Sequence, residues 1–210
     1  MIAPADVIAA AASCVTHLSP SIDSPERWDA LAGDLEWTCR QTVDHVADAL
    51  TYYAGNLATR TPVQRARLRN GDPSSDIEAL LTGVETAAAV LAAVARATPP
   101  HTRAFHRAGM ADVSGFMAMG CAEILIHTDD VAAILDPARR YRGPDELAAR
   151  LVARLFPWAP AHDDSWQLLR WSMGRAALPG HERLGPEWWW FCAPLAEWDG
   201  TPRTRWTPPG

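Results

Sequence analysis

The chain has 210 residues, a formal net charge of −6 and an apolar fraction of 48%. This length suits one domain, or one domain with an extension, and the apolar fraction is typical of a globular protein with a substantial core. The negative charge argues against binding to nucleic acid, which needs a basic surface.

The cysteines and the N-terminal segment predict a cytoplasmic protein. The four cysteines lie far apart with no C-x-x-C pair, which argues against a disulfide framework and against a cysteine zinc site. Asp6 lies in the N-terminal segment, and no basic residue precedes its apolar stretch, so a secretory signal is not expected. No uninterrupted apolar run reaches about 20 residues, the length that crosses a bilayer. We therefore expect no membrane partner.

The first helix is predicted from Pro4 to Leu18, because proline suits the first turn of a helix and apolar residues then recur at helical spacing. Ser19-Pro20 ends it. Residues 21–37 are predicted to form a loop with a short helical piece at residues 28–31.

A second helix is predicted after Thr38, because Thr38 and Gln41 have the spacing of a capping box. Its apolar stripe continues to Leu57, and His45 lies at the edge of that stripe. The following segment, residues 59–72, is rich in arginine and ends in the turn signal Asn-Gly-Asp-Pro.

Two further helices follow. Ser75 and Glu78 have capping-box spacing and predict the start of a third helix, whose apolar face runs to Val94. A loop is predicted at residues 101–109, and a fourth helix at residues 112–135. The apolar residues of the fourth helix, from Val113 to Leu135, are predicted to form its buried side.

These elements predict an all-α protein. Residues 1–136 have the helix lengths and faces of an antiparallel four-helix bundle. A fifth helix is predicted at residues 144–155 and a sixth from residue 164 or 165 to residue 178. The segment after it is rich in proline and tryptophan, so residues 137–210 are predicted to form a helical and Trp-rich extension packed on the bundle.

Three polar residues share one face of the fourth helix. Glu123 and His127 are four residues apart and Asp130 follows three later, so all three point the same way. A hydrogen-bonded surface pair is one interpretation of Glu123 and His127. A metal site is the other, because polar groups in an apolar setting need a partner. His45 is the best-placed third ligand, since ligands in a helical bundle project inward from facing helices.

Two segments carry a resemblance to a known family. They are W-T-C-R-Q-T-V-D-H-V-A-D-A-L, from Trp37 to Leu50, and A-E-I-L-I-H-T-D-D-V-A, from Ala122 to Ala132. The chain resembles the DinB-like superfamily, and within it the mycothiol-dependent maleylpyruvate isomerase type. The resemblance implies that His45, Glu123 and His127 bind one divalent metal ion inside a four-helix bundle.

The resemblance also implies a chemistry. Two imidazoles and one carboxylate leave a metal ion with open positions, as in catalytic zinc sites. Zinc is expected first, with nickel or another divalent ion as alternatives. The implied cofactor is mycothiol or a similar low-molecular-weight thiol, which would lose its proton on coordination and attack a small electrophilic substrate. The expected reaction is S-transfer or isomerisation. The family's C-terminal α/β pattern is missing after Asp136, so the metal and thiol chemistry is carried over rather than maleylpyruvate isomerisation.

Several other residues are candidates for the site. Asp130 is interpreted either as a catalytic group that orients a histidine through its ring N–H or as a polar residue near a helix end. Arg69 belongs to an arginine run that forms either a solvated face or a clamp for the carboxylates of a cofactor or substrate. Tyr52 and Trp37 are interpreted as packing residues or as walls of a cofactor pocket. Cys39 lies in the first turn of the second helix, where the helix dipole lowers the pKa of a thiol.

The loop histidines are expected to be solvated, although His101 and His106 precede the fourth helix and are candidates to line the site. Residues 188–191, Trp-Trp-Trp-Phe, are interpreted as core or dimer contacts, with a ligand site as the alternative. A homodimer is expected because many tryptophans look exposed.

Three functions remain open at this stage. The first is a metal- and thiol-dependent transferase or isomerase. The second is a metalloenzyme of the same fold that uses metal-bound water and no thiol. The third is a non-catalytic helical binding or scaffold protein. The expected partners are a small-molecule substrate and the thiol.

Overall fold

The computed structural model describes residues 2–205, and the last five residues of the predicted extension lie outside the described range. The described part is mostly helical, with one small two-stranded sheet. Its α-helices and strands are, in chain order, α1 Pro4–Leu18, α2 Cys39–Thr59, α3 Ile77–Ala97, β1 Arg103–His106, β2 Gly109–Asp112, α4 Val113–Leu135, α5 Asp145–Leu155 and α6 Ser165–Ser172.

The start of α2 has the predicted capping box. The amide of Gln41 donates to Oγ1 of Thr38 at 3.2 Å, and the amide of Thr38 donates to Oε1 of Gln41 at 2.9 Å. Two otherwise unpaired amides at the helix N-terminus are thereby satisfied. The preceding segment contains a 3₁₀ helix at Pro25–Asp29, slightly earlier than the predicted helical piece, and Trp28 in it is fully buried.

The start of α3 differs from the prediction. Asp76, and not Ser75, is the N-cap, and its Oδ1 accepts a hydrogen bond from the amide of Ala79 at 2.7 Å. A carboxylate one residue later caps the same turn and also interacts favourably with the helix dipole.

By length and composition α3 is apolar enough to span a membrane. The sequence did not indicate this, because its apolar residues do not form an uninterrupted run of that length. Core helices of globular proteins pass the same test, and α3 packs against α1 and α2.

The segment before α4 is a β-hairpin rather than the predicted loop. Strands β1 and β2 are antiparallel, with Arg103 opposite Asp112 and His106 opposite Gly109. The amide of Phe105 donates to the carbonyl of Thr61 at 2.7 Å, which ties the hairpin to the chain after α2. Each strand has only four residues, too short for an alternating pattern to predict it.

The long helices pack around α4. Helix α1 contacts α3 and α4, and α2 also contacts α3 and α4. Almost every side chain of α4 is buried, as expected for a helix that is apolar on all sides. Polar groups on α4 therefore lie inside the protein.

The C-terminal part differs from the prediction at one helix end. Helix α5 packs on α4 and α6, but α6 ends at Ser172 instead of continuing to Leu178. Gly174 has a φ of 69°, a left-handed conformation that commonly ends helices. The chain after it forms loops and short turns, in which Trp190 is buried and Trp188 and Trp189 are partly buried. Among the tryptophans of residues 2–205, only Trp37 is exposed. The many exposed tryptophans on which the dimer prediction rested are therefore not present in this range.

Candidate metal centre

Two helices bring the three predicted metal ligands together. His45 comes from the middle of α2, and Glu123 and His127 lie one turn apart on α4. Nε2 of His127 lies 3.2 Å from Oε2 of Glu123, and Nε2 of His45 lies 3.6 Å from the same oxygen. One ligand atom from each residue lies within 4.8 Å of the other two. This spacing fits a single ion bound by two imidazoles and a carboxylate.

Asp130 holds the outer side of His127. Its Oδ2 lies 3.1 Å from Nδ1 of His127, and it also accepts hydrogen bonds from Arg175, with Nη2 at 2.9 Å from Oδ2. The Nδ1 atom is therefore engaged, and Nε2 remains as the ring atom that faces Glu123. A carboxylate on the outer nitrogen is the usual support of a metal-binding histidine.

Tyr53 supports Glu123 in the same way. Its hydroxyl donates to Oε1 of Glu123 at 2.9 Å, and both side chains are buried. Burial, together with the charge of Glu123, raises the pKa of Tyr53 well above its usual value, so the hydroxyl keeps its proton and remains a donor. Oε2 of Glu123 is left to face the two histidines.

The site is an alternating array of charges. Burial disfavours the charged forms of Glu123 and Asp130, but hydrogen bonds from His127 outweigh it and hold both pKa values below the usual range, with further contributions from His45 and Arg175 respectively. Burial also opposes protonation of His127, yet the hydrogen bonds to Asp130 and Glu123 raise its pKa to about 9. Without a metal ion, His127 is thus an imidazolium between two carboxylates. A divalent cation in place of that proton fits the same surroundings.

A cavity of about 580 Å³ opens onto the three residues. This volume is within the range that accommodates small-molecule ligands. Its aromatic lining consists of Trp37, Tyr52, Tyr53, His106, Trp188, Trp189 and Trp190. Its arginines are Arg65, Arg67, Arg107, Arg175 and Arg205.

The predicted cofactor-binding residues divide into two groups. Trp37 and Tyr52 line the cavity, and the ring centroid of Trp37 lies 4.6 Å from that of His45. Arg69 does not line it, because its guanidinium forms ion pairs with Asp44 and Asp48 of α2. Arg69 therefore neutralises two carboxylates beside the cavity, and its neighbours in the arginine run reach the cavity instead. Asp130 acts through His127 and is likewise absent from the cavity lining.

Sequence reasoning missed other groups of the site. Arg175 lies just after the glycine that ends α6, and a predicted helix through Leu178 gave it no role. His106, expected to be solvated but also named as a candidate to line the site, is buried in β1 and lines the cavity, and burial lowers its pKa to about 4. Tyr53 was assigned to the apolar stripe of α2. Tyr53 lies eight residues, about two helical turns, after His45, so both residues lie on a similar side of the helix. This spacing could have indicated that Tyr53 belongs to the site.

Cys39 is not placed for nucleophilic chemistry. It is fully buried, and burial raises the pKa of its thiol to about 12, which outweighs the effect expected from the helix N-terminus. His101 is exposed and does not line the cavity.

Comparison with protein-family models, curated proteins and solved structures gives no match to this chain.

Proposed function

We propose that His45, Glu123 and His127 hold one divalent metal ion and that the protein is a metal-dependent enzyme acting on a small molecule. The observation that carries this proposal is the convergence of the three ligand atoms within 4.8 Å at a cavity of about 580 Å³. When bound, the ion would supply a Lewis acid that lowers the pKa of a coordinated thiol or water.

The finer fold assignment is part of the same proposal. Helices α1, α2, α3 and α4 each contact at least two of the others, which supports an antiparallel four-helix bundle of the DinB-like type. The C-terminal segment, with Arg175 and the tryptophans, covers the cavity from one side. A bundle with ligands on α2 and α4 is the arrangement that the resemblance implies.

The side chains around the ligands have definable tasks. Asp130 and Arg175 fix the ring of His127, and Tyr53 fixes the carboxylate of Glu123. Two neutral imidazoles and one carboxylate leave a divalent ion with a net positive charge and open positions, which suits an incoming anionic nucleophile. The aromatic walls exclude water from the substrate side of the cavity.

For the reaction we propose thiol-dependent S-transfer or isomerisation of a small electrophile, with mycothiol or a similar thiol as the nucleophile. Its support is the resemblance of the segments around His45 and Glu123, together with a cavity large enough for a thiol and a substrate. The cytoplasm, where such thiols stay reduced, is the proposed location.

Metal content is the first test. We expect protein purified without chelator to hold one equivalent of zinc, nickel or another divalent ion, measured by inductively coupled plasma mass spectrometry. The His45→Ala variant should lose this metal. The matched control is His101→Ala, since His101 is exposed and outside the cavity. Absence of stoichiometric metal from the wild-type protein after reconstitution with zinc, nickel and cobalt would refute the metal centre.

Thiol use has a separate test. Cobalt-substituted protein titrated with mycothiol is expected to show a thiolate-to-cobalt charge-transfer band that saturates. Mycothiol with a methylated sulfur is the control and should give no band. A metal-loaded protein without a band at saturating thiol would leave the metalloenzyme proposal standing and eliminate the thiol.

A further inference from the structure

Part of the cavity wall presents hydrogen-bond donors and cations that have no matching acceptors among residues 2–205. We call it the donor wall, and it comprises Tyr52 of α2, His106 and Arg107 of the hairpin, and Trp190 and Arg205 of the C-terminal segment. It adjoins the candidate metal centre, because the ring of His106 packs on Tyr53 at a centroid distance of 5.5 Å.

His106 is a neutral donor. Its Nδ1 accepts a hydrogen bond from the amide of Ala108 at 3.0 Å, so the proton of the neutral ring resides on Nε2. Burial keeps the ring neutral by lowering its pKa to about 4. Within residues 2–205 the structure shows no hydrogen-bond partner for this Nε2–H.

Two polar atoms of the wall are themselves buried without a partner in the described part of the chain. They are Nε1 of Trp190, whose residue is 5% exposed, and the hydroxyl of Tyr52. Buried donors are nearly always paired in folded proteins, and both residues line the cavity, so a ligand in the cavity is a candidate partner for these atoms. An indole N–H can only donate, and that partner must therefore be an acceptor.

The charges of the wall indicate that the acceptor is anionic. Arg107 and Arg205 are exposed at the cavity, and neither has a carboxylate within ion-pair distance among the described residues. The guanidinium of Arg205 instead lies 5.1 Å from the ring centroid of Trp189. By contrast, the cavity carboxylates of Asp44 and Asp48 are already paired with Arg69. Unpaired cations thus gather at one cavity of a chain whose formal net charge is −6.

We propose that the donor wall binds the carboxylate of a small substrate with a planar body. A carboxylate accepts several hydrogen bonds at once and carries the charge that Arg107 and Arg205 attract. The faces of Trp189 and Trp190 supply apolar contact for the planar part. This proposal rests on the proposed function in one respect, because the other end of the substrate would lie at the metal ligands.

The test uses metal-free protein, so that a probe carboxylate has no ion to bind. Benzoate and benzamide have nearly the same shape, but only benzoate is charged, and titration calorimetry measures both. We expect benzoate to bind about tenfold more tightly, because hydrogen bonds to charged groups are the stronger ones. Trp190→Phe and Arg107→Gln are each expected to weaken benzoate binding several-fold and to leave benzamide binding unchanged.

The control variant is Trp198→Phe, because the Nε1 of Trp198 donates to the carbonyl of Thr201 and the residue does not line the cavity. It should bind benzoate as the wild type does. Equal affinity for the two probes, no saturable binding of benzoate, or wild-type affinity in both wall variants would overturn the proposal. Arg107 lies on the surface of the hairpin turn, so its variant decides the matter even where Trp190→Phe fails to fold.

The two proposals fail separately. Metal content is measured on the same preparations before the ion is removed. If the protein never holds metal but binds benzoate more tightly than benzamide, the proposed metal centre is refuted and the proposed carboxylate site stands. Protein that holds metal but binds both probes alike would lose only the carboxylate site.

Discussion

Nδ1 of His127 lies 3.1 Å from Oδ2 of Asp130, and Nη2 of Arg175 lies 2.9 Å from the same oxygen. The pair is three residues apart on α4, so one helix supplies both the proposed ligand and its support. Flanking cations keep the pKa of Asp130 below its usual value despite burial, and the carboxylate is an acceptor throughout the physiological pH range. The orientation of the proposed ligand thus depends on a charged hydrogen bond.

Asp130→Asn is expected to weaken metal binding about 10–100-fold, the usual effect of losing the outer partner of a metal-binding histidine. The neutral amide is a weaker acceptor and no longer stabilises the required ring orientation. Competition with a chromophoric chelator measures the affinity for zinc or cobalt.

The control for this change is Asp129→Asn. Asp129 is the adjacent residue and is also buried, but it pairs with Arg140 and Arg170 and not with a histidine. We expect it to lower stability without changing metal affinity. An equal loss of affinity in both variants would show that Asp130 acts only through the stability of the fold.

The stability of the metal-free protein is expected to fall as pH rises from 6.5 to 9. The folded protein holds the proton of His127 up to a pKa of about 9, whereas the unfolded chain releases it near the ordinary value of 6.5. The stabilisation is therefore complete below pH 6.5 and is lost as pH approaches 9. Urea unfolding at several pH values measures the slope.

His127→Gln is the comparison for this pH dependence, because it removes the titrating group and should flatten the curve in that window. Parallel curves for the variant and the wild type would assign the slope to another group. Metal binding displaces the same proton, so metal affinity should rise over this pH range.

Tyr53→Phe is expected to lower the free energy of unfolding of the metal-free protein by about 2 kcal/mol, because a buried hydrogen bond to a charged group is removed. Tyr52→Phe is the matched control. The buried Tyr52 hydroxyl has no hydrogen-bond partner among the described residues, so its removal should be neutral or slightly stabilising. Urea denaturation of both variants tests the contrast, and similar losses in the two would contradict the role given to the bond between Tyr53 and Glu123.

The sequence predicted the local parts of this structure and missed the distant ones. The capping box of Thr38 and the shared face of Glu123 and His127 depend on spacings of three and four residues, which helix geometry fixes. Arg175 reaches Asp130 only because α6 ends early, and that ending depends on one glycine inside an apparently helical pattern. Nothing local indicated where this arginine would point.

The arginine run and the hairpin illustrate the same limit. Arg69 was predicted as a clamp for the carboxylates of a cofactor or substrate. It instead forms ion pairs with Asp44 and Asp48, which lie one turn apart on α2. The sequence alone does not show that the arginine run packs against α2. His106 is brought to the cavity by a hairpin whose strands are too short to show a pattern. Its burial depends on rings contributed by the far C-terminal segment.

The last prediction concerns Gly174. It has a φ of 69°, and a Cβ at this position would lie 2.8 Å from the ring of Trp188. Gly174→Ala should therefore lower the free energy of unfolding by about 3 kcal/mol, from a strained backbone and an overpacked contact together. The change also displaces the neighbouring Arg175 from Asp130, so we expect weaker metal binding in the same variant.

Gly180→Ala separates the two causes of this loss. Gly180 has a similar φ of 78°, but a Cβ there would meet no atom of the described part of the chain within 4 Å. Its variant carries only the backbone strain, and we expect a loss of about 1 kcal/mol with unchanged metal affinity. Urea denaturation and chelator competition on both variants give the comparison. Equal losses of stability in the two variants would mean that the contact with Trp188 relaxes without cost. Unchanged metal affinity in Gly174→Ala would show that the conformation at the end of α6 does not affect the orientation of His127.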